Sequence, residues 1–147
     1  MHRANMTTKP ETLIQALENF EDTAEGRRVV LEKFMSTRIF VLMDQPWDGR
    51  SLPSTEMRLL FVSDGEDKQQ AMLAVFTDRA HAEAVAADMG EFRHPAEVDA
   101  RWAMLGVPPD VGVRINPNST PSFRILPQLA IELRRMVEGK LQQRQGT

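Results

Sequence analysis

Apolar and polar positions alternate along this chain in two rhythms, one of helices and one of short strands. Thr8 to Phe20 predicts a helix. Thr8 and Glu11 have capping-box spacing, Pro10 is tolerated in the first turn, and Leu13, Ile14, Leu17 and Phe20 form one apolar stripe. A second helix is expected from about Glu25 to Ser36, entered through Asp22 or Thr23, with Val30, Leu31, Phe34 and Met35 on its buried face. Arg38 to Met43 is β-rich and too short for a helix. Breakers Pro46, Gly49 and Pro53 mark the next stretch, Asp44 to Glu56, as a loop. Met57–Ser63 and Ala71–Phe76 read as strands of an antiparallel hairpin whose turn opens at Asp64-Gly65.

Thr77 or Asp78 then caps a helix with Ala82, Val85, Ala86 and Met89 on one face, stopped by Gly90. Pro95 to Leu105 is expected to be a further helix, with Val98, Trp102 and Leu105 together and Gly106 at its end. Val111–Ile115 is a strand halted by Asn116-Pro117-Asn118, and Ser122–Leu126 a last short one. Pro127–Glu138 closes the pattern as an amphipathic helix with Leu129, Ala130, Leu133 and Val137 aligned and Gly139 as terminator. The unit from Phe76 to Ile115 is long enough to be a crossover between parallel strands, right-handed where it applies. The expected fold class is therefore α/β with α+β character: a mixed sheet of about four to five strands packed by helices. It forms one domain over residues 8–140, with residues 1–7 and 141–147 as flexible ends.

Composition narrows the function classes. A chain of 147 residues fits one domain with a sizeable core. The absence of cysteine removes disulfides, thiolate metal sites and a cysteine nucleophile. Met1 to Pro10 holds no signal-like apolar run, and no stretch reaches the about 18 apolar residues of a membrane span, so a soluble cytoplasmic protein without a membrane role is expected. The net charge of −3 gives no drive toward nucleic acid, which is not expected as a partner. Arg134, Arg135, Lys140 and Arg144 are read as favouring a helix C-terminus.

Candidate chemistry is sparse. His2, His81 and His94 are scattered, without the spacing of a paired metal motif, and read as surface or capping residues. Asp44, Asp48 and Gly49 echo a calcium loop, but Pro46 and Thr55 stand where ligands are needed. No glycine-rich phosphate loop and no GxSxG elbow exists, so no catalytic residue, metal or cofactor is expected. The methionines read mostly as core filler, as does Trp102. Trp47, in a polar loop, either covers a core edge or stands exposed as an interface anchor.

Ile39–Met43, Arg58–Val62, Met72-Leu73-Ala74-Val75-Phe76-Thr77-Asp78 and Gly112-Val113-Arg114-Ile115-Asn116-Pro117, in this order, resemble the SseB N-terminal domain family. Phe76-Thr77 matches that family's strand ending before a helix, and Ile115-Asn116-Pro117 its later strand ending in Asn-Pro; the resemblance runs from about Glu11 to Glu138. It implies a bacterial α/β domain, linked by family name to enhanced serine sensitivity, with no catalytic residues to carry over. Longer members carry a second, C-terminal domain. The resulting expectation is a non-enzymatic cytoplasmic interaction module that binds a protein partner or itself, with a homodimer through sheet edges or helical faces. The alternative is a small-ligand-binding or divergent enzymatic domain using the cleft at the C-terminal ends of the strands. A secretion-associated role is a third reading that rests on a shared name. If the first, third and crossover strands all run the same way, their ends collect a binding surface from Asp44, Trp47, Thr77, Asp78 and Asn116.

Overall fold

The computed structural model describes residues 12–48, 57–64 and 69–145 of the chain, with side chains as far as Lys140. The elements are α1 (Leu13–Glu18), α2 (Ala24–Met35), β1 (Arg38–Met43), β2 (Phe61–Ser63), β3 (Ala71–Val75), α3 (Arg79–Ala86), β4 (His94–Asp99), α4 (Ala100–Leu105), β5 (Gly112–Ile115), β6 (Phe123–Ile125) and α5 (Pro127–Gln145). Four of the helices begin at a side chain that accepts a first-turn amide, which relieves the unpaired N–H groups of a helix start. Thr12 caps α1 in a capping box with Gln15; Thr23, Asp78 and Asp99 cap α2, α3 and α4. The box expected at Thr8 and Glu11 lies outside the described residues.

The strands form a four-stranded mixed sheet, β2-β3-β5-β6, and a two-stranded ribbon, β1-β4. β2 and β3 make the expected antiparallel hairpin, and β3 and β5 are parallel, with Val75 opposite Ile115. Gly112 lets β5 fit between its neighbours: a Cβ there would meet the Ile125 carbonyl oxygen and, at 2.8 Å, the Met72 sulfur. One face of the sheet carries Leu73, Val75, Val113, Ile115 and Ile125 into the main core, which α1, α2, α4 and α5 close. The opposite face packs Leu60, Ala74 and Phe76 against Ala82 and Val85 of α3. β1 runs between the two cores, with Ile39, Val41 and Met43 in one and Leu42 in the other.

Several expectations are corrected. His94–Asp99 is a strand; only Ala100–Leu105 of the expected Pro95–Leu105 helix is helical. Ala96 and Val98 are buried while Glu97 points out, a period of two, and Val98 lies opposite Ile39 of β1. β4 is an edge strand, where the missing N–H of Pro95 is tolerated. β1 and β3 do not run the same way: the bridge between Phe40 and Phe76 is antiparallel. The strand expected over Met57–Ser63 is reduced to Phe61–Ser63, preceded by a bridge from Leu59 to Met43. Gly139 does not end α5, which continues to Gln145. Arg134 and Arg135 therefore lie well before the helix end, and Arg134 donates instead to the Val107 carbonyl at 2.7 Å.

Candidate functional site

Because β3 and β5 are parallel neighbours, the residues leaving them emerge side by side, and Thr77, Asp78 and Asn116 are brought together as the sequence suggested. Asn116 is 0% exposed and adopts φ 54°, in the left-handed region that Asn tolerates better than most residues. Its Oδ1 accepts the Thr77 amide at 3.0 Å, while its Nδ2 donates to the Thr77 hydroxyl at 3.1 Å and to the Pro121 carbonyl at 2.8 Å. The Thr77 hydroxyl donates to Asp78 Oδ2 at 3.0 Å. Asp78 accepts the His81 amide at 2.9 Å as the cap of α3.

His81 extends this network beyond what the sequence suggested. Its Nδ1 lies 2.8 Å from Asp78 Oδ2 and its Nε2 3.1 Å from the Thr120 carbonyl oxygen. With an acceptor at each nitrogen, the ring is best matched as an imidazolium donating from both. The Asp78 carboxylate holds its pKa above the ordinary histidine value; burial opposes this and the Thr120 carbonyl adds to it. Burial pulls the Asp78 carboxyl upward, but the His81 amide and imidazole and the Thr77 hydroxyl outweigh it, so Asp78 stays below its ordinary value. A general base needs a nitrogen lone pair facing a substrate; both His81 nitrogens face protein oxygens here. The arrangement clasps α3 to the segment after β5.

Asp44 and Trp47 are not part of this cluster. Asp44 accepts the Arg58 amide at 2.8 Å and its Nε at 3.2 Å, and that amide, with the guanidinium beside it, keeps the carboxyl below its ordinary value. Trp47 packs on Trp102 of α4, ring centroids 5.0 Å apart and planes inclined by 35°. Of its two readings, cover for a core edge is the one observed. The strand direction explains the separation: β1 is antiparallel to β3, so the chain leaves β1 toward Leu59 and not toward Thr77.

A larger feature lies between α2 and α5, a groove of about 780 Å³. Leu31 and Met35 form one wall, and Leu129, Leu133 and Met136 the other. Met136 is 55% exposed, so this methionine is not core filler. Arg27, Arg28, Arg101 and Lys140 rim the groove, with Glu32 the only acidic residue among its described lining. The spacing of Leu129, Leu133, Met136 and Lys140 along α5 was the available sequence signal: it marks a second helical stripe, one position round from the buried one.

Among the described residues no group of His, Asp and Glu is placed to hold a metal ion, and no helix is long and apolar enough to cross a membrane. Comparison with curated proteins and with solved structures found no match. The model of the SseB protein N-terminal domain matches residues 12–130, nearly all of the strands and helices described above, and the chain belongs to that family.

Proposed function

We propose that the chain is a non-enzymatic interaction module of the bacterial cytoplasm, and that it takes an acidic, amphipathic helical segment of a partner protein into the groove between α2 and α5. The observation that carries this reading is Met136, more than half exposed at the mouth of an apolar groove with four basic residues around it. Grooves between helices receive helices whose apolar residues recur at i, i+3, i+4 and i+7. Exposed methionine suits such contacts because its side chain adapts to irregular partners.

The charge of the rim chooses the partner. Arg27 pairs with Asp22, Arg28 with Glu25 and Glu32, and Arg101 with Asp99, while Lys140 pairs with no carboxylate among the described residues. Exposed ion pairs of this kind are worth about 0–1 kcal/mol, so incoming carboxylates exchange into them at little cost. A second copy meeting this face about a two-fold axis would bring the same basic rim against itself. That favours a different, acidic chain as the occupant. The clasp at the ends of β3 and β5 supports the non-enzymatic part, since its polar groups are engaged with one another.

The test is a photo-crosslinking residue at position 136 in the full chain, with the exposed Glu83 of α3 as control site. The expected product at 136 maps to an acidic segment with helical apolar spacing. A synthetic peptide of that segment should then bind the wild type at least tenfold more tightly than Met136→Glu or Lys140→Glu. Adducts that map to this same chain, or that form equally from position 83, would reject the proposal.

A further inference from the structure

Arg114 of β5 and Arg124 of β6 face each other across the strand pair, on the sheet side away from the main core. Like charges directly opposite on neighbouring strands repel. Asp64, 1% exposed, lies against both, but it does not serve them equally. Arg124 takes it in a two-pronged pair, Nε to Oδ1 at 3.0 Å and Nη2 to Oδ2 at 2.5 Å. Arg114 comes no nearer than 3.7 Å, Nη1 to Oδ1, beyond hydrogen-bonding distance.

The Arg114 side chain is only 23% exposed, yet its guanidinium makes no hydrogen bond among the described residues. A guanidinium carries five N–H donors, and covering them without acceptors is costly. Arg114 lines a cleft of about 360 Å³ on this side of the sheet. Leu60, Val62 and Met89 give the cleft apolar walls, and Asn118 adds a polar group. Phe61, opposite Leu73, points to the other face of the sheet, whereas Val62 and Met89 pack on the same side as Arg114. The volume falls near the lower end of the roughly 300–1,000 Å³ of small-molecule sites.

We propose that this cleft binds a small organic anion, with its carboxylate or phosphate on Arg114 and its apolar body against Val62 and Met89. Planar guanidinium donors match both anion types, often in a two-pronged geometry. Asp64 is engaged by Arg124 and leaves the outer face of Arg114 to the ligand. The site stands on different residues from the groove between α2 and α5, so either can fail without the other.

The probes are benzoate and phenyl phosphate, with benzamide as the neutral control, followed by amide NMR of the full chain. Saturable shifts at Val62, Met89, Arg114 and Asn118 are expected from one or both anions and not from benzamide; which anion binds more tightly identifies the head group. Arg114→Gln should weaken binding at least tenfold, and Met136→Glu should leave it unchanged. Met89→Ala, at a half-buried position lining the cleft, should also weaken binding and serves if Arg114→Gln fails to fold. Shifts that benzamide reproduces, no saturable shift with either anion, or unchanged binding in a folded Arg114→Gln or Met89→Ala variant would overturn the proposal.

Discussion

Asn116 holds Thr77 by both ends: one buried side-chain amide accepts the Thr77 backbone N–H and donates to its hydroxyl. It also donates to Pro121, so one residue joins the end of β3, the end of β5 and the approach to β6. Replacement by Ala would leave the Thr77 amide and the Pro121 carbonyl without this partner and would put a Cβ without side-chain compensation at φ 54°. A loss of about 2–4 kcal/mol in unfolding free energy is expected, because unsatisfied buried groups cost about 1–3 kcal/mol each and not all of that is realised. Asn116→Gly relieves the backbone part alone. Urea unfolding of both variants should rank Gly above Ala and both well below the wild type; equality of all three would remove the clasp from the stability of the fold.

That pairing was readable before the structure because it needs only two parallel strands ending side by side. β1 was readable for a related reason: Ile39, Phe40, Val41 and Leu42 are continuously apolar and lie between two cores. β4 was not. Val98, Trp102 and Leu105 recur at spacings that imitate a helix stripe, and only the edge of β1, far away in sequence, makes His94–Asp99 extended. The same long-range pairing directs β1 against β3 and carries Trp47 to Trp102, so the candidate surface that included Trp47 divided in two. The unequal sharing of Asp64 between Arg114 and Arg124 depends on three strands meeting, and no local pattern encodes it.

The clasp makes stability depend on pH through His81. Its folded pKa is raised, so its contribution is complete below the unfolded histidine value of about 6.5 and is lost as pH rises through the higher folded value. Asp78 has a lowered folded pKa, so its contribution is present above the unfolded value of about 3.9 and is lost as pH falls through the lower folded one. The window between holds both charges. Chemical denaturation across pH should show the wild type losing stability relative to His81→Gln as pH rises above the unfolded histidine value of about 6.5. A parallel pair of curves there would contradict the imidazolium assignment.

Trp47 and Trp102 are the only tryptophans in the chain, so its indole fluorescence reports on their contact. Aromatic pairs contribute about 0.5–1.5 kcal/mol beyond the area they bury. A double-mutant cycle with Trp47→Phe, Trp102→Phe and Trp47→Ala, Trp102→Ala should give coupling of about that size for the alanine pair and less for the phenylalanine pair. Trp47→Ala should also lower unfolding stability. Zero coupling, with the fold otherwise intact, would detach the loop after β1 from α4.

Met136 separates the cost of folding from the cost of binding. Its side chain is mostly in water, and surface substitutions away from caps, cores and networks change stability by about ±0.5 kcal/mol. Met136→Glu should therefore melt close to the wild type. Leu133, on the same face of α5, is buried in the main core, and Leu133→Ala should cost about 2–5 kcal/mol. The two variants thus predict opposite phenotypes from positions less than one helical turn apart. If the groove receives an acidic helix, Met136→Glu places a carboxylate where the partner's apolar anchor sits, and the rim attracts that new charge away from the partner. Affinity should fall at least tenfold, about 1.4 kcal/mol, with the melting temperature held. Raising salt should weaken wild-type binding further, since the rim charges are exposed and screened over roughly 8–10 Å at physiological ionic strength. Binding that survives Met136→Glu, or that is indifferent to salt, would mean that the apolar groove and its basic rim do not form one recognition surface.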